Sequence, residues 1–220
     1  MSPKHKHTQQ ERARTLGACP EERRALDPLL TLLFGLCLLL LSLSSRCARL
    51  SDPQFSQNAA ALPTILDIVS VISELFLSLS SQDIPAAFEE KATLQGWMSR
   101  FLELFTFQSA VLEAQAAARK GDDALAPTKL DTLRSTICEI INVYTWKYED
   151  YFAEFVPKFV EVIWQTLASL SDSARYDALV GSAVRFLTAV VRKAQFSSLF
   201  SSEAALNLIA EKVRILPNSN

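Results

Sequence analysis

Apolar residues recur every three or four positions along most of this chain, and each such stripe predicts an amphipathic helix. Residues 62–80 put Ile65, Leu66, Val69, Ile72, Leu75, Phe76 and Leu79 on one face. The next stripe carries Leu94, Trp97, Met98, Phe101, Leu104 and Phe105, with Asp83 placed to cap its helix and Pro85 in the first turn, where a missing N–H costs nothing. Thr128 with Asp131 forms a start resembling a capping box, ahead of Leu133, Ile137, Ile140, Ile141, Tyr144 and Tyr148. A further helix presents Phe152, Phe155, Val156, Phe159, Ile163 and Leu167, and Pro157 kinks it or marks its first turn. Ser173 caps a stripe of Val180, Ala183, Val184, Leu187, Val190 and Val191, and a last segment holds Leu206, Ile209 and Val213 before Pro217.

Between these stripes the pattern weakens. Residues 44–60, with Ser51, Asp52, Pro53, Gln57 and Asn58, read as a loop. Residues 108–127 are rich in alanine and then run through Arg119, Lys120, Gly121, Asp122, Asp123 and Pro127; they read as a frayed helix end followed by an exposed loop. Residues 1–25 are polar, charged and aperiodic, and are expected to be disordered. Residues 29–43 form a dense apolar run with two readings, a buried repeat helix or a signal or anchor segment. The run is short of the roughly 20 residues a membrane helix needs, and Glu11, Glu21 and Glu22 precede it.

The helices fall into pairs: 27–43 with 62–80, 85–107 with 128–147, and 150–171 with 174–194, leaving one near 197–214 without a partner. First helices recur at roughly 50–60 residues, loosely the spacing of two-helix HEAT-type repeats with loop insertions. The expected fold is therefore all-α, a HEAT-repeat-type α-solenoid over 26–220 with about three helix pairs and one unpaired helix. Composition agrees: 49% of the 220 residues are hydrophobic, and 5 glycines are too few for the turns of an all-β chain of this length.

The formal charge is −2, so no overall positive field attracts nucleic acid. Cys19, Cys37, Cys47 and Cys138 form no C-x-x-C pair and read as reduced, small hydrophobes. The chain has no N-x-[ST] sequon, which fits the cytosol or nucleus.

Catalytic motifs are absent: no P-loop, G-x-G-x-x-G, H-E-x-x-H or G-x-S-x-G occurs. Both histidines, His5 and His7, lie in the tail, so the folded part offers no imidazole for a Ser-His or Cys-His nucleophile. The tail sequence Lys4-His5-Lys6-His7 reads as a solvated basic tail in preference to a metal site. Glu89/Glu90, Asp122/Asp123 and Glu149/Asp150 are adjacent pairs, and adjacent helix positions do not face each other. Trp97, Trp146 and Trp164 have no accompanying basic stripe, so core packing explains them better than base stacking. No catalytic, cofactor-binding or metal residue is assigned, no cofactor is expected, and the chain reads as a protein-binding scaffold and not an enzyme.

The stretch from about 62 to 218 resembles the exportin-2 family, the importin-α re-exporters, a branch of the importin-β-like karyopherins. The residues that carry this are the run Leu75 to Pro85 (LFLSLSSQDIP), Phe88-Glu89-Glu90, Trp97-Met98, Ile137-Cys138, Lys147-Tyr148, Phe155 to Val160 (FVPKFV), Ile163-Trp164, Arg175 to Val180 (RYDALV), Phe186-Leu187, Leu199-Phe200, Glu211-Lys212-Val213 and Ile215 to Asn218 (ILPN). Their order and spacing, more than any one of them, make the match specific. Asp27 to Phe34 (DPLLTLLF) resembles an apolar helix of the family that precedes this region, which favours the repeat-helix reading of 29–43. The resemblance implies a HEAT superhelix that binds importin-α together with the GTP-bound form of Ran, with nucleoporins as further candidate partners and neither nucleic acid nor a membrane expected. It also implies residence in nucleus and cytoplasm, with hydrolysis of GTP occurring on Ran. Family members are several-fold longer and hold repeats before and after this region that complete the grip on Ran and cargo. The ends of this stack are therefore expected to expose apolar faces. The matched positions read as packing residues and caps, so no partner-contacting residue is carried over.

Overall fold

The structure is a computed structural model that describes residues 35, 38–81, 91–170 and 174–200. Nearly all of them belong to the second of two compact units, residues 40–220, the first being residues 1–39. Among the described residues every regular element is a helix. In chain order these are α1, which runs to residue 51, α2 (Pro53–Ser56), α3 (Ala61–Ser81), α4 (Lys91–Thr106) and α5 (Ala110–Ala117). They continue with α6 (Lys129–Lys147), α7 (Glu149–Phe152), α8 (Val156–Ser169) and α9 (Asp177–Val191), with 3-10 turns at Gly121–Leu125, Ala174–Tyr176 and Ala194–Phe200.

Within residues 40–220 the long helices form two layers. In one, α6 lies between α3 and α9 with its backbone close to both. The three run parallel and nearly in register. Lys129 near the start of α6 pairs with Asp67 of α3, and Lys147 at its end donates from Nζ to the Ser81 carbonyl (3.3 Å). Toward α9, Ser135 contacts Ser182 (2.8 Å), Glu139 pairs with Arg185 (3.2 Å), and Glu149, just past the end of α6, pairs with Lys193. The second layer holds α4 and α8, which meet each other and pack on α6 and α9 respectively. Leu40 of α1 sits against Gly96 of α4, where an added Cβ would lie 3.3 Å from it, so glycine there allows a close approach. The expected pairs are therefore present for α4 with α6 and for α8 with α9. The backbones nonetheless approach more closely between successive second helices than within a pair.

Side-chain size accounts for this difference. The space between layers is filled by aromatic rings. Phe76 of α3 stands 4.3 Å from Trp97 and 5.1 Å from Phe101 of α4, and 5.9 Å from Tyr144 of α6, centroid to centroid. Tyr144 passes the contact to Phe152 (5.9 Å), and Phe152 to Phe159 of α8 (6.0 Å). Such rings hold helices about 10 Å apart, and each pair adds about 0.5–1.5 kcal/mol to its area burial. The α3–α6–α9 layer is joined instead by small residues. Ser73, Ser80, Ser182, Ala183 and Ala189 are buried, and Ser73 and Ser80 donate back to the carbonyls of Val69 and Phe76, so their hydroxyls cost little there.

Several boundaries differ from the sequence expectation. Residues 44–51 are helix and not loop: Leu43, Cys47 and Leu50 form a buried stripe masked by the intervening Ser and Arg. Asp52 then caps α2, its side chain accepting from the Gln54 amide. Residues 110–117 are a helix in their own right, started by Ser109, whose Oγ accepts from the Leu112 amide (3.3 Å), and they bury Leu112 and Ala116. Gly121, with φ of 62°, opens the following 3-10 turn in a conformation that favours glycine. The expected single helix over 150–171 is broken at 153–155, because Pro157 near the start of α8 has no N–H to continue the ladder from α7. Leu75 and Val191 are exposed although both were placed on buried stripes. In α9 the buried face includes Leu179, Ser182, Phe186 and Ala189, because this helix packs on α6 as well as α8.

The expectations for the 1–25 tail, Asp83 and Pro85, Ser173, the Leu206–Ile209–Val213 stripe, Cys19 and Cys37 lie outside the described residues. So does most of the 29–43 run. Among the described residues α3 alone is long and apolar enough to cross a membrane, by length and composition. Its apolar face packs on α4 and α6 through Ile65, Leu66, Val69, Ile72 and Phe76.

Two predictions follow from the core. Truncating Phe76 to alanine removes the ring that joins three helices and should cost about 3–5 kcal/mol, read from the midpoint of urea unfolding by far-ultraviolet circular dichroism. Cys47 and Cys138 are free and buried, and burial pushes the Cys47 thiol up to about 11 and that of Cys138 higher still. Alkylation at neutral pH followed by peptide mass mapping should leave both unmodified in the native chain and modify both in urea.

Candidate protein-binding surface

The α3–α6–α9 layer turns one face to solvent. On α3 the exposed positions Asp67, Val71, Glu74 and Ser78 recur with helical period. On α6 the strip is narrow, with Lys129, Thr132, Trp146 and Lys147 exposed and Glu139 and Val143 half-buried between them. On α9 it comprises Arg185, Thr188 and Arg192. Two ion pairs, Asp67–Lys129 and Glu139–Arg185, tie the three helices together across this face. All four side chains are about half exposed, so each pair adds at most ~1 kcal/mol and marks the register more than it enforces it.

The face has an apolar element and a charge gradient. Val71 (63% exposed) and Leu75 lie on α3, Trp146 (50% exposed) ends α6, and Val191 ends α9. Lys193 Nζ sits 5.2 Å from the Trp146 ring centre while pairing with Glu149, so one face of the indole is capped by a cation that is itself neutralised. Glu74 on the α3 side and Arg192 on the α9 side are exposed and form no ion pair among the described residues. An exposed tryptophan beside apolar residues and ion pairs is the usual make-up of a protein contact.

The position of α9 on this face depends on a buried polar cluster at the start of α6. Thr128 and Asp131 form the capping box expected from sequence: Thr128 Oγ1 accepts from the Asp131 amide (3.2 Å) and Asp131 Oδ2 accepts from the Thr128 amide (2.8 Å). Asp131 Oδ2 also accepts from Arg175 Nε (2.8 Å), in the turn that leads into α9. The outer edge of the same guanidinium makes a two-pronged pair with Glu113 of α5 (3.1 and 3.0 Å), and Tyr176 lies over it, 4.8 Å from guanidinium carbon to ring centre. Burial alone would lower the Arg175 pKa, but the hydrogen bonds it donates to Glu113 and Asp131 outweigh it and hold the group above the ordinary arginine value. Arg134, one turn along α6 from Asp131, donates to the carbonyls of Phe105 and Phe107 that end α4 (2.9 and 2.6 Å). Burial lowers its pKa.

No catalytic constellation assembles among the described residues, and no group of three or more His, Cys, Asp or Glu side chains comes together to hold a metal. His5, His7, Glu89 and Glu90 lie outside the described residues. Asp123 is in the exposed 3-10 turn, and Glu149 pairs with Lys193 while its neighbour Asp150 points to solvent. Trp97 is core, as expected, and Trp164 is half-buried, but Trp146 is a surface residue. Sequence reasoning missed Trp146 because it follows the buried Tyr144 and Thr145 at the end of a stripe. It also missed Arg175, whose partners lie 44 and 62 residues away.

A family model described as Cse1 matches residues 31–220. The chain belongs to the Cse1 family. Among curated relatives of this family, Exportin-2 of Homo sapiens is 34% identical over 163 residues, covering 74% of this chain and 16% of its own length. The importin alpha re-exporter of Saccharomyces cerevisiae is 33% identical over 161 residues, covering 73% of this chain and 16% of its own length. A solved structure of the exportin Cse1 in its cargo-free, cytoplasmic state superposes with a TM-score of 0.72 at 28% identity, over 87% of this chain and 20% of that one. The chain thus spans about a sixth of the length of these relatives, and its fold is a HEAT-repeat-type α-solenoid. Of the residues that carry the resemblance, Phe76, Trp97, Met98, Ile137, Cys138, Phe159, Ile163, Arg175 and Phe186 are buried here, while Leu75, Lys147 and Lys158 are exposed.

Asp131→Ala should destabilise the chain by about 3–5 kcal/mol in urea unfolding, since it removes a cap and takes the buried partner from Arg175. Glu113→Ala, which takes two hydrogen bonds from a guanidinium only 10% exposed but removes no cap, should cost less, about 1–3 kcal/mol.

Proposed function

We propose that this chain is part of a nuclear transport receptor of the exportin-2 kind, a protein-binding scaffold that contributes to carrying importin-α out of the nucleus together with GTP-bound Ran. The observation that carries this reading is the 34% identity to Exportin-2 over 163 residues, together with the structural match to the exportin Cse1. The α3–α6–α9 face supplies the means: apolar residues for contact area, and Glu74 and Arg192, which form no ion pair among the described residues, for charge matching. In this role the chain binds and does not catalyse, and GTP hydrolysis belongs to Ran. Movement between nucleus and cytoplasm follows from the same role, with nucleoporins as further partners on the way.

Because the chain matches only 16% of Exportin-2, the test places it in a full-length receptor. In a human Exportin-2 whose matching segment is replaced by this chain, importin-α and GTP-loaded Ran should be retained in a pull-down. Loss of both from a chimera that is folded by circular dichroism would reject the role. Trp146→Ala in the chimera should weaken retention about tenfold, the usual effect of truncating an exposed aromatic at a contact, without changing the unfolding midpoint.

A further inference from the structure

We infer that the seam between α6 and α9 on the exposed face holds an extended segment of a partner protein by its backbone, through the carboxamide of Asn142. This deepens the reading of the α3–α6–α9 face as a contact surface and rests on it. Asn142 stands one helical turn from Glu139 and one from Trp146, on the stripe whose members Ser135 and Glu139 meet Ser182 and Arg185 of α9. Its Oδ1 is buried and accepts from no described residue. Its Nδ2 donates to none, and the side chain as a whole is half-buried, so the edge of the carboxamide reaches the surface. A polar atom shut in without a partner is a standing cost, and asparagine is a poor residue for a helix interior. A ligand that hydrogen-bonds the amide relieves that cost.

An extended chain is what a carboxamide fits. One residue of such a chain turns its N–H and C=O to the same side. Asparagine answers both, donating from Nδ2 and accepting at Oδ1 once the amide turns outward about its soft χ2. The neighbours select the side chains. From Asn142 to Trp146 α6 rises about 6 Å, and two residues of extended chain span about 6.5 Å. A chain gripped at Asn142 therefore brings the residue two positions away to Trp146, which is 50% exposed and has Lys193 over one face of its ring. An open indole favours an apolar residue there. Arg192 is exposed, forms no ion pair among the described residues, and directly precedes Lys193, so a carboxylate beside the apolar residue finds a forked partner. The occupant is thus a short extended peptide with an apolar residue next to an acidic one.

The probe is the peptide acetyl-Ala-Ala-Leu-Asp-Ala-dimethylamide, titrated into the whole 220-residue chain at millimolar concentration. The signal is the indole N–H resonance of Trp146, assigned with Trp146→Phe. The same peptide N-methylated at every residue keeps its side chains and carbonyls but loses each backbone N–H. It should bind about tenfold more weakly, as should the parent peptide to Asn142→Leu. Asn142→Leu should at the same time raise the midpoint of urea unfolding, because it removes an unpartnered acceptor and leucine is the better helix former. No shift of the Trp146 resonance with the parent peptide, equal binding of the N-methylated form, or undiminished binding by Asn142→Leu would each overturn the inference. A lowered midpoint for Asn142→Leu would do the same, since the amide would then be holding the helices together. The N-methylated peptide is compared on the wild-type chain, so that result stands even where a variant misfolds. The titration contains neither importin-α nor Ran: a failed titration leaves the chimera's retention of them intact, and a chimera that loses them leaves the titration intact.

Discussion

The burial of α6 is the constraint from which the rest of this structure follows. Between Thr132 and Trp146 no residue of that helix is fully exposed. A helix so placed must offer rings where its neighbours stand off and small groups where they press close, and α6 does both. Tyr144 and Tyr148 belong to the aromatic chain between layers, while Ser135 meets Ser182 across the narrow gap to α9. The parallel register of α3, α6 and α9, and with it the exposed face they share, is a consequence of that packing. The ion pairs on the face record the register and do little to enforce it, since half-exposed pairs are weak.

The same helix links the core to the exposed face and to the turn that leads into α9. Its N-terminal capping box would need only Thr128 and Asp131 to satisfy the first-turn amides. By accepting Arg175 as well, Asp131 turns a local cap into a join between one repeat and the next. A capped helix end is a fixed point, and the guanidinium held on it fixes the turn that leads into α9. At the other end of α6, Trp146 is exposed because the helix finishes where the layer finishes, and the Lys193–Glu149 pair holds the indole in place. A surface held this way has little freedom to rearrange, which lowers the entropic cost of a contact made on it.

Much of the fold was legible in the residues taken one stripe at a time. The apolar faces of α4, α6 and α8 were read position by position and are buried as read, because a helix with one packed side writes its period directly into the sequence. The Thr128–Asp131 cap was legible for a similar reason, since its partners are three residues apart. Reading failed where a helix packs on two sides or is mostly polar. In α9 the buried set includes serine and alanine chosen for closeness, which hydrophobicity alone does not flag. Residues 44–51 and 110–117 are helices held by a few apolar positions and a serine cap, too sparse a signal against their polar neighbours.

The sequence by itself determined the helical class, the two-helix repeat, the absence of recognised catalytic motifs and the family resemblance, all of which depend on residues close together in the chain or on their order along it. Only the tertiary structure decided which side of each helix remains in solvent, that Trp146 is a surface residue while Trp97 is core, and that Arg175 unites Asp131 with Glu113. Those depend on distances between residues more than 40 positions apart, set by how closely side chains of given size let two helices approach.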